Sequence, residues 1–374
     1  MRESAKPVKV HTVEVTGYSS GGEGVARLED GKVVFIRGAA RGDVLEIKLT
    51  GEHSRSARGE IVGILTPSRY RIEPDCAAYP KCGGCDFRHI TYEEELEAKL
   101  QRVNDAIRRI GGLSIRVEEI LGTRQVAGYR NKAVFHSDGT SLGFYQSRSH
   151  TVVPIESCLL LDDSINEALK TLPKEHGITL RSGRNGLNQP LEQELDGIVF
   201  KVAGFFQVNT GAALLLYRKV REYAALSGGE ALMDLYCGVG SMTLFVGRDA
   251  KYALGIESNP AAVETARENA RLNGLSHIEF INADAGKWEA KIANPDCIIV
   301  DPPRKGLSNE AVSNILELSP KRVIYVSCDP ATLARDIREL KGFEAIAISA
   351  IDMFPRTSNI ECCCLLSYHN RRFR

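Results

Sequence analysis

The chain has 374 residues, with 48 lysines and arginines against 48 aspartates and glutamates, and 43% of it is hydrophobic. This exceeds one ordinary core, so two or three domains of a soluble globular protein are expected, and the zero net charge argues neither for nor against a nucleic-acid partner. No run of about 18 apolar residues is present to span a membrane, and "MRESAKPVKV" lacks the apolar core of a signal peptide, so a cytoplasmic location is expected.

Residues 8–65 alternate short β-like runs with glycine turns ("VKVHTVEVTGY", "GEGVARLEDGKVVFIRG", "DVLEIKLTG", "ARGEIVGIL"), the texture of a small all-β barrel. The proline-containing loop that follows carries Cys76, Cys82 and Cys85. "TYEEELEAKLQRVNDAIRRIG" then predicts a helix over 92–110, with Leu96, Leu100, Val103, Ile107 and Ile110 forming one apolar stripe ended by Gly111 and Gly112. Residues 113–203 mix strand-like runs and turns whose order the sequence leaves open. From about 204 onward strand and helix alternate strictly, which predicts a doubly wound parallel sheet. Two closing runs, "FEAIAISAIDMF" and "NIECCCLLSY", have only a loop between them and predict an antiparallel pair. The basic tail "NRRFR" reads as a solvated chain end.

"DLYCGVGS" (234–241) is a glycine loop after a strand, a weak nucleotide signal alone. The third glycine of a dinucleotide fingerprint is missing, with Thr243 and Leu244 following. Glu257 ends the next strand, where an acid accepts from ribose hydroxyls. Asp284 after the third strand reads either as a contact to an adenine amino group or as a helix cap. This set, with the antiparallel ending, points to S-adenosylmethionine (SAM) rather than a dinucleotide.

"VDPPRKGL" puts Asp301 at the exit of the fourth strand, where ligands of open α/β sheets sit. Enzymes that methylate exocyclic amines follow D-P-P with an aromatic residue; here Arg304 follows. Cys328 leaves the fifth strand just outside a helix N-terminus, with Asp329 as N-cap and Pro330 as first helical residue, a position whose dipole favours thiolate. Cys237 and Cys297 read as packing residues. Glu361 begins the last strand, which in such sheets lies beside the fifth, so Cys328, Asp301 and Glu361 are expected to converge at one edge of the pocket. The buried strand implied by "CCCLL" is expected to raise the pKa of Glu361 and suit it to a general base. A thiolate, a base and a methyl donor together suit methylation of pyrimidine C5, with sulfur adding to C6 to activate C5.

"GFFQVN" (204–209), "DLYCGVGS", "DPPRKGL", "YVSCDPATLARD" and "DMFPRTSNIE" occur in this order. In these motifs the chain resembles the RNA (uracil-5-)-methyltransferases over nearly its whole length. The resemblance implies an α/β protein in three parts: a TRAM-like, OB-type barrel binding RNA (1–66), a mixed central domain with the cysteine loop (67–203) and the 92–110 helix packed on the catalytic domain, and a seven-stranded Rossmann-like SAM methyltransferase domain (204–374). It implies cofactor contacts at Gln207, Tyr236, Glu257 and Asp301, with Cys328 as nucleophile and Glu361 as base. It further implies a [4Fe–4S] cluster on Cys76, Cys82, Cys85 and Cys158; without the family, four thiols fit tetrahedral zinc equally well. The expected reaction is C5 methylation of a uridine, in 23S rRNA first and tRNA second, by a monomer needing no protein partner. The runner-up is cytosine C5, whose enzymes usually bring a Pro-Cys motif that "DPPR" lacks, and a catalytically silent RNA-binding protein is the rival from another class. The family commonly has Asn where Asp329 stands and His where Asn359 stands.

Overall fold

The computed structural model describes residues 9–288 and 294–368, so the basic tail and the first eight residues of the expected barrel lie outside it. The N-terminal unit is one six-stranded sheet running from Val10–Glu14 to Ser56–Thr66. Its alternating side chains close a core of Val13, Ala26, Val34, Ile36, Leu45, Ile47 and Ala57. The central segment resolves into a five-stranded sheet in the spatial order Val152–Pro154, Leu142–Tyr145, Lys132–Ser137, Ile178–Gly183, Gly186–Leu187. One face is covered by the helix Asp163–Leu169 through Ile165 and Leu169.

The C-terminal sheet contains β1 (Ala231–Leu235), β2 (Tyr252–Glu257), β3 (Ile278–Asn282), β4 (Cys297–Val300), β5 (Arg322–Ser327), β6 (Phe343–Ile351) and β7 (Glu361–Tyr368) in the order 3-2-1-4-5-7-6. β1 to β5 are parallel and β7 runs antiparallel between β5 and β6, as the alternation predicts. An eighth strand corrects the expected seven: Ile120–Leu121, from the central segment, adds in parallel to the edge of β6. Two residues carry no period, so the sequence gives no sign of it. Helices cover both faces, and the strands split their side chains accordingly. Leu232, Ile299, Ile324, Val326 and Cys363 join one buried cluster, whereas Met233, Leu235, Val300, Tyr325, Cys362 and Cys364 join the other. The triple cysteine is thus a strand buried on both sides. The first cluster also takes in Leu195, Ile198 and Phe200 of the preceding hairpin.

The helix Tyr92–Arg109 packs on the helix Pro330–Glu339, with Val103 and Ile107 sharing a core with Leu333 and Ile337. Its buried face differs from the apolar stripe. Ile110 is 40% exposed, while Glu94, Glu95 and Lys99 are buried. The reason is a partner far along the chain. Lys99 Nζ donates to Glu95 Oε1 and Asp352 Oδ1, each at 2.7 Å, and to the Phe354 carbonyl oxygen at 3.2 Å. The Tyr92 hydroxyl donates to Asp352 Oδ2 at 2.5 Å, and the Arg356 backbone N–H to Glu95 Oε1 at 2.7 Å. This bolts the helix to residues 352–356, just before β7.

Removing the shared cation leaves two buried carboxylates facing each other. Lys99→Met is expected to cost about 3–5 kcal/mol in urea unfolding, with part of the loss recovered by adding Asp352→Asn; an unchanged midpoint would refute the role of the node.

Candidate active site

The register of the last strand builds the site. β5 and β7 pair from Arg322–Ser367 to Ser327–Cys362, so one residue further Cys328 stands opposite Glu361. Continuing the two-residue alternation from Ile299, Val326 and Cys363 sets Asp301, Cys328 and Glu361 on the same face of the sheet. Their mutual electrostatics agree: Cys328 feels Glu361, Arg304 and Asp301, and Glu361 feels Asp301 and Arg304. Cys328 is half-buried, neither sealed in the interior nor free in solvent. Cys237 and Cys297 are buried packing residues.

Asp329 caps the helix Pro330–Glu339 by accepting from Thr332 N at 2.9 Å, with Pro330 in the first turn. The expected thiolate bias of this position is corrected. Burial pushes the Cys328 thiol up, Glu361 and Asp301 add to the rise, and Arg304 opposes it. The helix dipole is outweighed by two carboxyls that a local reading does not see. Burial raises Glu361 well above the usual carboxylate range, with Asp301 adding and Arg304 opposing, and burial likewise raises Asp301.

The sequence reading used Arg304 only to exclude amine methylation, and it missed what holds that residue. Its loop is clamped by the helix that follows Cys328. Asp336 Oδ2 accepts from Leu307 N at 2.8 Å and from the Tyr325 hydroxyl at 2.6 Å. Thr332 Oγ1 donates to the Arg304 carbonyl oxygen at 3.1 Å, and Arg335 to that of Lys305 at 2.7 Å. The Arg304 guanidinium donates to Asn359 Oδ1 at 3.4 Å. Arg102, on the helix Tyr92–Arg109, bridges Asp329 Oδ2 at 3.4 Å and the Ser358 carbonyl oxygen at 2.8 Å. No local motif marks Arg102. Tyr217 stands behind the carboxyls, its hydroxyl 2.7 Å from Ser241 Oγ.

At the cofactor end, Gly238 and Gly240 take φ of +55° and +78°. A Cβ on Gly240 would meet the Phe280 ring at 2.7 Å, whereas above Gly238 there is open space. Gly238 N donates to Glu257 Oε2 at 3.1 Å, fixing that carboxylate at the end of β2. Thr243 stands where the third glycine is missing and donates to buried Asp234 at 2.5 Å. Tyr236 is held at φ +67°, rare for a residue with a side chain. Asp284 is exposed and acts on the Tyr236 hydroxyl. It accepts from Gly286 N at 2.8 Å in a turn, so it is not a helix cap. Gln207 is buried, its carbonyl oxygen taken by the Asn131 side chain at 3.2 Å. A short carboxylate, an open glycine cradle and a tyrosine thus fit a nucleoside with an amino-acid tail.

Cys76, Cys82, Cys85 and Cys158 line one cavity of about 250 Å³ together with Arg88 and Tyr79. Arg88 Nε donates to Cys85 Sγ at 3.3 Å, and burial raises the thiols of Cys82, Cys85 and Cys158. Among the described residues no group of three or more His, Cys, Asp or Glu side chains is placed to hold a metal ion. The donor set, four thiols around one enclosed space, nevertheless suits a sulfur-ligated group.

The family profile described as tRNA (uracil-5-)-methyltransferase matches residues 197–369, and that of the TRAM domain matches residues 5–62. A Clostridium tetani protein named as an uncharacterized RNA methyltransferase is 31% identical over 97% of this chain and 98% of its own. A Bacillus cereus protein of the same name is 32% identical over 92% and 94%. Pyrococcus abyssi tRNA (uracil-54, C5)-methyltransferase, solved in complex with S-adenosyl-L-homocysteine, shares the fold with a TM-score of 0.76 over 94% of this chain and 99% of that one, at 23% identity.

Because the Cys328 thiol is pushed up, its alkylation by iodoacetamide is expected to rise with pH to a midpoint above that of an ordinary thiol. Arg304→Gln, which removes the cation that lowers the thiol, is expected to move the midpoint higher, and Glu361→Gln, which removes a carboxyl that raises it, to move it lower. A midpoint unmoved in both variants would overturn this account of the field at the sulfur.

Proposed function

Since the chain belongs to the RNA (uracil-5-)-methyltransferase family, we propose that it methylates C5 of a specific uridine in ribosomal or transfer RNA through a covalent Cys328–C6 bond. The observation that carries this reading is the meeting of Cys328, Glu361 and Asp301 on one face of the sheet, beside Arg304 and next to the glycine cradle. Bound SAM would supply an electrophilic methyl group, and Gln207, Tyr236, Glu257 and Asp301 would hold it, with Asp284 at the adenine.

The chain's own residues do the rest. Cys328 gives up its proton to solvent, its sulfur adds to C6 of the uracil, and the electron pair displaced from the C5–C6 double bond makes C5 nucleophilic. C5 takes the methyl group as the sulfonium's sulfur–methyl bond breaks and S-adenosylhomocysteine leaves as the neutral thioether, and C5 then carries both methyl and hydrogen. Glu361 removes that hydrogen as a proton, the C5–C6 double bond re-forms, and sulfur leaves. Its raised pKa suits Glu361 to accept this proton. Arg304 acts on the sulfur and on Glu361 and offsets negative charge as the thiolate forms. The target base must leave its stack to reach this corner.

We further propose that Cys76, Cys82, Cys85 and Cys158 hold a [4Fe–4S] cluster, supported by their shared cavity. A cluster there would staple a loop that the chain already ties to the site: Asp86 Oδ2 accepts from Ser358 N at 2.9 Å, three residues before Glu361.

Mapping 5-methyluridine in rRNA and tRNA with and without the gene is expected to reveal at least one lost position; loss of none would remove the reading. Cys328→Ala is expected to lower turnover by about 10³-fold or more. Glu361→Gln is expected to accumulate a protein–RNA adduct on Cys328, because elimination cannot follow. Active enzyme that forms no adduct with 5-fluorouracil RNA would count against the covalent route. Anaerobic purification is expected to yield about four irons per chain, lost in Cys158→Ser; bound zinc in place of iron would overturn the cluster.

A further inference from the structure

The face of the central sheet opposite its core is exposed in part, and at its far end His136 and Tyr145 border the cysteine cavity. Ala133, Phe135 and Leu180 point into its core, so Lys132, Val134, His136, Thr179 and Arg181 line the opposite face. Val134 is 39% exposed there, and Thr179 is exposed beside it. At one end of this face Lys132 stands directly across from Arg181. Like charges paired this way repel. Arg181 is only 8% exposed, its guanidinium donates to the Gly204 carbonyl oxygen at 2.9 Å, and burial lowers its pKa. Burial also lowers Lys132, with Arg181 and Arg130 adding to the effect. Among the described residues no carboxylate forms an ion pair with either, so this end of the face is short of one anion.

The cationic end abuts the catalytic mouth. Gly204, which holds Arg181, opens the segment that carries Phe205, 72% exposed, and Gln207. The other end is aromatic. The rings of His136 and Tyr145 stack with centroids 3.8 Å apart and an interplanar angle of 11°. The exposed His150 lies edge-on to Tyr145 at 5.1 Å.

We propose that this face is a track for single-stranded RNA flanking the target uridine. A phosphate sits on Lys132 with Arg181 behind it, and a base further along stacks on the Tyr145–His136 pair. Single-stranded RNA supplies both the anion and a free aromatic face; a duplex hides its base faces in its own stack. The inference rests on the RNA-substrate reading above and adds where the strand lies.

The test is fluorescence anisotropy of the full-length protein with a labelled oligouridylate and with duplex RNA, over a range of salt. Lys132→Ala is expected to weaken single-strand binding and reduce the slope of log affinity against log salt by about 0.7, while Lys132→Arg keeps both. Tyr145→Leu is expected to weaken binding about tenfold without changing the slope, while Tyr145→Phe binds as wild type. Wild-type affinity and slope in Lys132→Ala and Tyr145→Leu would overturn the track and leave the methyl-transfer reading standing. Equal weakening on duplex RNA would overturn the single-strand assignment, and a wild-type protein that binds neither RNA would overturn both readings.

Discussion

Everything at the catalytic corner follows from placing two carboxyls and a thiol in one buried space. Burial raises all three, and each acid discourages the ionisation of its neighbours. Arg304 is the cation that acts on both Cys328 and Glu361. The corner is therefore biased toward its protonated forms and holds less positive charge than its three acidic groups would need if all were ionised. In the proposed reading a sulfonium donor brings that charge to Asp301, which couples donor arrival to ionisation of the group. The same deficit explains why Arg304 sits on a loop clamped from three sides by Asp336, Thr332 and Arg335. A guanidinium that drifts away would leave the acids uncompensated.

Residues 352–359 link the corner to the rest of the chain. Lys99 and Glu95 hold their start, Asp86 from the cysteine loop holds Ser358, and Arg102 holds the Ser358 carbonyl oxygen. Glu361 is two residues beyond Asn359, so its position is inherited from the helix Tyr92–Arg109 and from the cysteine loop. The central segment thus helps set where Glu361 stands. Four side chains anchored on two other elements restrict a loop that would otherwise carry Glu361 on a flexible arm.

The alternating strands and helices were legible because burial on both faces leaves near-continuous apolar runs between glycine and proline punctuation. The convergence of Cys328, Asp301 and Glu361 was legible because sheet order and the two-residue period fix which side chains meet. What stayed hidden depends on partners distant in sequence. Glu95 and Lys99 look like a solvated pair until Asp352 arrives, and the short strands of the central sheet take their order from pairing that no local pattern encodes. The helix dipole at Cys328 was a correct local term, but the field there is set by strands ending 28 residues before and beginning 33 residues after it.

The two departures from the family pattern follow the same logic of charge. Asp329 adds an anion next to Cys328 in the chain, and Arg102 meets it while also holding Ser358. Asn359 gives Arg304 a neutral acceptor. The Asp329–Arg102 contact is long and partly exposed, which makes it worth little to folding. Both groups act instead on the buried thiol of Cys362, which Arg102 lowers and Asp329 raises. The carboxylate that caps the helix after β5 is thus met by a cation 227 residues earlier in the chain, which ties the end of β5 and the approach to β7 to the helix Tyr92–Arg109.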